Sequence, residues 1–411
     1  MMLRNRSLNV TNENENITNH SSVKGAEKRA SKGLGDVAGP EPKRVALTDI
    51  SSSLSSVLID SSKKNYEQKS RIRLPNKAAP IKEEEENLFY EKKPLLEDLK
   101  PVKAEEDPCP DYDFDKECMK DMTSVAEYAR DIFLYYKYRQ SQFLIGDYLK
   151  RQRHISAEMR ALVVNWLIGV QEQFELNHET LYLAVKIMDL YLHKTKSDVK
   201  RVDLQLIGGT AIFLASKFDV SFLSLACIEI HFQERVAPLI DDLLYMCDDN
   251  YTSDQMLKME LILYNTVGFD LGIPLSYRFL RRFSRVIKLD MPTLTLARYI
   301  LETSLMFYDF VCVKDDLMAS ASLLLALRMK KMGEWDARLV KYSGYRLEEV
   351  EPVMWTLNHM IIKRTSDYNQ LETIYNKYSH EIFFEVAKIP SLPNQFPLSD
   401  PIKPPPHLRF H

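Results

Sequence analysis

The sequence predicts an all-α protein, two tandem helical bundles behind a disordered N-terminal region. Three observations carry this reading. From about residue 120 to 388 apolar residues recur at helical spacing almost without a break, and strand-like alternation is scarce. Two pairs of segments inside that stretch repeat at offsets of 113 and 111 residues. Ahead of it the composition changes sharply: Tyr66 is the only aromatic residue before Phe89.

In chain order, residues 1–113 come first. They are rich in Ser, Asn, Lys and Glu and include the acidic run KEEEEN at 82–87. Such a segment buries too little apolar area to offset chain entropy and is expected to be disordered. Prolines at 75, 80, 94, 101, 108 and 110 prolong the extended character to about Asp113. Turn signals then punctuate the helical stretch: Asn177 before HETLYLAVKIMDLYLH, Ser253-Asp254 before QMLKMELILYNTV, then Gly268, Pro274 and Pro292.

LAVKIMDLYL (183–192) is repeated as LARYILETSL (296–305), and LIGGTAIFLASK (206–217) as LMASASLLLALR (317–328). Small residues cluster in the second segment of each pair: Gly208, Gly209 and Ala211, then Ala319, Ser320 and Ala321. Small side chains let helices approach closely, so each is the expected central helix of its own bundle. The domains are therefore 120–272 and 273–388, followed by a proline-rich, irregular tail at 389–411.

Composition excludes several function classes. Net charge is −3, which gives no electrostatic footprint for nucleic acid, and no direct nucleic-acid partner is expected. With 12 glycines and no G-x-x-x-x-G-K-[ST] or G-x-G-x-x-G, nothing cradles a nucleotide phosphate. The five cysteines form no C-x-x-C pair, and the nine histidines form no H-E-x-x-H or comparable cluster. No catalytic residue, metal site or cofactor is expected. No run of 18 apolar residues predicts a membrane span, and the N-terminus lacks the apolar core of a signal peptide.

MRALVVNWLIGVQEQF (159–174) poses a sharper question. On a helical wheel Met159, Val163, Trp166 and Val170 fall within about 60° of one another. Ala161, Val164 and Ile168 lie on the opposite side, with thin polar lines between. One apolar face serves the core. The other needs either a further helix layer or a partner, and a helix buried on all sides is the commoner arrangement.

These residues resemble a family. MRALVVNWL is similar to the MRAILVDWL signature of the A- and B-type cyclins. The likeness continues through ETLYLAVKIMDLYL, LQLIGGTAIFLASKF, DDLLYMCDDNYTSDQMLKMELILYNTVGFDL, YRFLRRFSR and LARYILETSLMFYDFV, to YSGY at 342–345. Within the family, YMCDDNY, IPLSYRFLRRF and the upstream RLPNKAAP resemble the B-three subfamily of B-type mitotic cyclins. The resemblance implies two five-helix cyclin boxes with a preceding helix. It implies a regulatory subunit that binds and activates a cyclin-dependent kinase for G2/M progression, in mitosis, meiosis or both. By holding the PSTAIRE helix of the kinase, such a subunit lets the Lys–Glu ion pair required for phosphoryl transfer form.

Carried over position by position, Lys217 in ASKF and Glu260 in LKME match the charged pair that grips the kinase helix. Read without the family, Lys217 would compensate the dipole at a helix C-terminus. Phe269 and Leu271 in GFDL, with Tyr264 one turn earlier, match apolar kinase contacts; otherwise they read as core. Ile132 in YARDIF matches a contact on the preceding helix. Met159, Val163 and Trp166, with Gln205 beside them, match a docking patch for R-x-L substrates or inhibitors. Leu162 and Leu167, with the Ala161, Val164 and Ile168 side, go to the bundle, and Arg160 reads as a structural anchor. The family Asp before the tryptophan is Asn165 here, and a carboxylate often found three residues after it is Gly169, which removes an obvious partner for the arginine of R-x-L.

RVALTDISS (44–52) resembles a destruction box, anchored by Arg44 and Leu47. It implies turnover through a ubiquitin ligase of the anaphase-promoting type. EKRASK and EPKRVA are short basic clusters of the nuclear-import kind, so the nucleus, with a cytoplasmic pool, is the expected location. VSFLSLACIEIHFQ (220–233) interrupts the family pattern just after Lys217. It reads as an added helix or strand that tunes partner choice, as a loop, or as a short intron kept in frame; sequencing the transcript separates the last from the others.

Overall fold

In the computed structural model the described residues are 107–121, 124–226, 237–367 and 371–409. The helices among them are α1 (Phe114–Glu117), α2 (Ala126–Gln140), α3 (Ala157–Gln173), α4 (His178–Lys194), α5 (Leu204–Ala226), α6 (Ile240–Met246), α7 (Ser253–Val267), α8 (Ser276–Val286), α9 (Met291–Ser304), α10 (Asp315–Met329), α11 (Ala337–Ser343), α12 (Leu347–Asp367) and α13 (Thr373–Tyr378). No strand occurs among the described residues.

The start and stop signals act locally as expected, with one shift. α7 begins at Ser253 because Thr252 forms a capping box: its side chain accepts from the Gln255 N–H, and the Gln255 side chain accepts from the Thr252 N–H. Gly268, in the left-handed region at φ 98°, ends the helix. Pro292 sits in the first turn of α9, where its missing N–H costs nothing.

The repeat is structural. α5 packs against α3, α4 and α7, and α10 packs against α8, α9 and α12. Each is the central helix of its bundle. Gly208 shows why small residues cluster there: a Cβ at that position would stand 2.6 Å from Val163 Cγ1. α3 can approach α5 at this distance only with no side chain in the way.

Two buried polar networks join the bundles. Arg160 on α3 makes a two-pronged pair with Asp189 on α4, at 2.7 and 2.6 Å, and its Nη1 donates to the Leu305 carbonyl of the second bundle at 2.8 Å. Tyr148 donates its hydroxyl to the same Asp189 at 2.8 Å. Burial alone would lower the Arg160 pKa, but the Asp189 carboxylate holds it above the ordinary guanidinium value. In the second network Lys377 on α13 donates to Glu302 Oε1 at 2.5 Å and to Gln171 Oε1 on α3 at 2.7 Å, while Tyr378 donates to Glu302 Oε2 at 2.6 Å. Burial pushes the Glu302 carboxyl up; Lys377 and His178 more than offset this and hold it below the usual carboxylate range.

The expected disordered boundary at 113 is corrected. Residues 107–113 lie against the second bundle, where Lys341 on α11 donates to the carbonyls of Cys109 (3.0 Å) and Tyr112 (2.8 Å). The prolines there fix an extended course without preventing docking. The tail beyond 388 has no α-helix but is packed: Ile402 is buried, and Val313 and Arg409 form an antiparallel bridge. Among the described residues no helix is long and apolar enough to cross a membrane, and no group of three or more His, Cys, Asp or Glu could hold a metal. Arg44 and Leu47 lie outside the described residues.

Candidate functional site

Lys217, about two and a half turns before the C-terminal end of α5, meets Glu260 on α7, Nζ to Oε1 at 2.5 Å. The lysine side chain remains 41 % exposed and the glutamate 16 %. The ammonium also stands 4.0 Å from the centroid of the Phe213 ring, a cation–π contact one turn back on the same helix. Two residues further on, Asp219 Oδ2 accepts from Asn177 Nδ2 (2.6 Å) and Thr180 Oγ1 (2.8 Å). That clamp ties this turn of α5 to the start of α4 and fixes where Lys217 emerges.

α7 has more apolar residues than its core needs. Met256, Leu263 and Val267 are buried, whereas Leu257 and Leu261 are 47 % and 65 % exposed. Glu260, Tyr264, Leu257 and Leu261 fall within about 100° of helix circumference, so one face presents a carboxylate edged by bare apolar side chains. Phe269 extends it. Both Gly268 and Phe269 N–H groups bond back to the Tyr264 carbonyl, Phe269 takes the left-handed conformation at φ 61°, and its ring packs edge-on against Tyr264 at 4.8 Å. The Phe269 side chain is 62 % exposed.

Lys217, Glu260, Tyr264 and Phe269 are thus brought into one surface, and Leu257 and Leu261 join them without having been read from the sequence. Leu271 is corrected. It is 4 % exposed and belongs to the core, because the chain turns inward between Phe269 and Leu275. Ile132 is half-buried on α2. That helix is anchored beside the same loop, where Arg139 pairs with Asp270 and donates to the Gly272 carbonyl at 2.7 Å.

The docking patch is also corrected. Val163 and Trp166 are each 3 % exposed. Trp166 lies over Gly209, in a pocket shared with Cys247 and Met256. Burial pushes the Cys247 thiol up to about 12, so this corner behaves as apolar core. The side of α3 that carries Trp166 is covered by α5, against which it packs at Gly209. What reaches the surface is the next strip round: Leu162, expected in the bundle, and Gly169, with Met159 at its edge and Gln205 on α5, all partly exposed. A Cβ at Gly169 would meet only Thr373 Cγ2, at 3.9 Å. Ala161, Val164, Leu167 and Ile168 are buried, as read.

Comparison with known proteins bears on this arrangement. Residues 131–272 match the family described as cyclin, N-terminal domain, and residues 274–392 match cyclin, C-terminal domain. The chain is 39 % identical over 405 residues to the G2/mitotic-specific cyclin-B3 of Caenorhabditis elegans, covering 97 % of each chain. It is 40 % identical over 361 residues to that of Gallus gallus, covering 85 % of each. Against that of Drosophila melanogaster it is 47 % identical over 289 residues, 69 % of this chain and 47 % of the longer fly protein. With both halves matched in order and one relative spanned almost end to end, the chain belongs to the cyclin family, among its B-type mitotic members.

Proposed function

We propose that the chain is the regulatory subunit of a cyclin-dependent kinase, binding and activating it for G2/M progression. The observation that carries this is the half-exposed Lys217–Glu260 pair set among Leu257, Leu261, Tyr264 and Phe269. Such a face offers an inserted kinase helix charge-assisted partners for its backbone and apolar surface for its side chains. Burying one exposed leucine against a partner is worth roughly 1.5–3 kcal/mol, so the stripe supplies affinity and the ion pair register. The role is regulatory; the phosphoryl-transfer groups belong to the kinase. Pull-down of the full chain followed by a histone-kinase assay tests this. Recovery without kinase activity above background would sink it.

Docking of R-x-L substrates or inhibitors is proposed for the strip of Met159, Leu162, Gly169 and Gln205. Leu162→Ala is expected to weaken an R-x-L peptide by about three- to tenfold in fluorescence anisotropy. Gly169→Glu, which restores a carboxylate where the backbone has room, is expected to strengthen it about two- to fivefold, the scale of an exposed ion pair. Unchanged affinity in both variants rejects this surface. Trp166→Ala is the poorer test, since emptying a buried tryptophan site costs about 3–5 kcal/mol of fold.

Arg44 and Leu47 are proposed as the anchors of a destruction box read by a ubiquitin ligase of the anaphase-promoting type. Arg44→Ala with Leu47→Ala is expected to leave the protein stable through mitotic exit, as followed by immunoblot; decay at the wild-type rate counts against the signal. A nuclear location with a cytoplasmic pool is proposed on the basic clusters alone. Segment 220–233 begins inside α5, which runs on to Ala226, beyond the proposed grip. Deleting 220–233 is expected to tighten kinase binding about tenfold by titration; equal or weaker binding would assign the segment to the fold or to the interface itself.

A further inference from the structure

The groove between α8 and α11 is built to hold an acidic chain. Arg282, 9 % exposed, points its guanidinium among three aromatic rings, Phe114, Phe133 and Tyr342, at 5.1 to 5.4 Å, and donates to Asp115 Oδ2 at 2.6 Å. Lys341 pairs with Asp107 at 2.7 Å while holding the two carbonyls described above. Tyr342 accepts the Phe114 N–H at 2.8 Å, and Tyr112 donates its hydroxyl to the Val286 carbonyl at 2.7 Å. Outside this centre, Lys288 pairs with Glu117 at 2.8 Å and Arg285 with Asp121 at 3.2 Å. The occupant, residues 107–121, reads DPCPDYDFDKECMKD: six acids, two lysines and two aromatic residues.

The strength of this hold is limited. Both outer pairs join side chains that are 42 % to 64 % exposed, and such pairs contribute about 0–1 kcal/mol each. Ordering the backbone of such a segment costs about 1–2 kcal/mol per residue. The Phe114 ring, 5 % exposed, and the Arg282–Asp115 pair carry most of the attachment. The strap therefore belongs to the least stable part of the structure and opens without the bundles unfolding. Opening leaves Arg282, Lys341 and the Tyr342 hydroxyl without their partners from the strap, in a site already shaped around an aromatic side chain and a carboxylate.

We propose that the α8–α11 groove is a docking site for acidic peptides carrying an aromatic anchor. It is occupied in cis by residues 107–121 and open to a partner segment of the same chemistry when the strap lifts. The strap competes at the high effective concentration of a tethered ligand, so the site is closed to weak ligands and open to a longer or more acidic one.

The test uses the full chain and a fluorescein-labelled synthetic peptide of residues 107–121. The wild type is expected to bind it weakly. A chain with Phe114→Ala and Asp115→Asn, which loosens the strap and leaves the groove intact, is expected to bind it at least about tenfold tighter. Adding Arg282→Gln should return binding to the wild-type level, and a peptide with both aromatic residues changed to alanine should fail to bind. Equal binding by the wild type and the loosened chain overturns the proposal, as does binding that survives Arg282→Gln or loss of the aromatic residues. A measurement on the unaltered protein covers the case of a misfolded variant: excess unlabelled peptide should accelerate hydrogen exchange at the Phe114 and Glu117 amides about tenfold while α9 and α10 stay protected. No acceleration rejects displacement.

Discussion

Replacing Arg160 by methionine lowers the stability of the folded chain by about 3–5 kcal/mol, the cost of leaving one member of a buried ion pair without the other. Arg160 is 1 % exposed and the Asp189 side chain 5 %, so no water replaces the lost guanidinium. Tyr148 still donates one hydrogen bond to Asp189, which offsets a minor part. The effect reaches beyond the first bundle, because Arg160 also donates to the Leu305 carbonyl. A thermal melt should therefore shift down by about 10 °C and separate into two steps as the bundles uncouple. Combining Arg160→Met with Asp189→Leu should recover a large share of the loss, since the orphaned carboxylate, not the missing attraction, is the main penalty. A shift under about 2 °C, or no recovery in the double variant, would overturn this account.

Much of the fold could be read before the structure, and the reasons differ by element. The central helices α5 and α10 were visible because small residues and a shared offset mark close helix packing, and both have a local cause in the sequence. Arg160 was visible as an anchor because a single charge in a long apolar run has nowhere to go but to a buried partner. Trp166 and Val163 were misplaced by the position-by-position transfer from the family. The residues alone, two apolar faces with thin polar lines between them, favour burial on all sides, and that is what the structure shows. Leu257 and Leu261 escaped notice because QMLKMELILYNTV is apolar on nearly every side, so surplus over core appears only once Met256, Leu263 and Val267 are seen to fill it. The strap up to Asp113 read as disordered because composition weighs what a segment can bury by itself. It cannot weigh a basic groove such as the one reached by Tyr112, whose hydrogen-bond partner lies 174 positions later.

The same contrast between what the free chain needs and what a partner needs sets the second large effect. Lys217→Ala is expected to leave the fold almost untouched and to cost about 2–5 kcal/mol of kinase binding, roughly 30-fold to several thousandfold in Kd. In the free chain the Lys217–Glu260 pair is partly exposed, and pairs of that kind contribute about 0–1 kcal/mol. Under an inserted helix both groups lose water, and removing the lysine strands Glu260 in an apolar setting made by Leu257, Leu261, Tyr264 and Phe269. Leu261→Asp, on the bare side of α7, should weaken binding as strongly for the complementary reason, a carboxylate pressed into apolar contact. Exchanging the charges, Lys217→Glu with Glu260→Lys, restores the pair within the free chain but presents the wrong sign to each group on the kinase. It should therefore fold normally and still fail to bind. Binding by the charge-exchanged chain at wild-type strength would mean that the pair only braces α5 against α7, and the grip would then have to come from the apolar stripe alone.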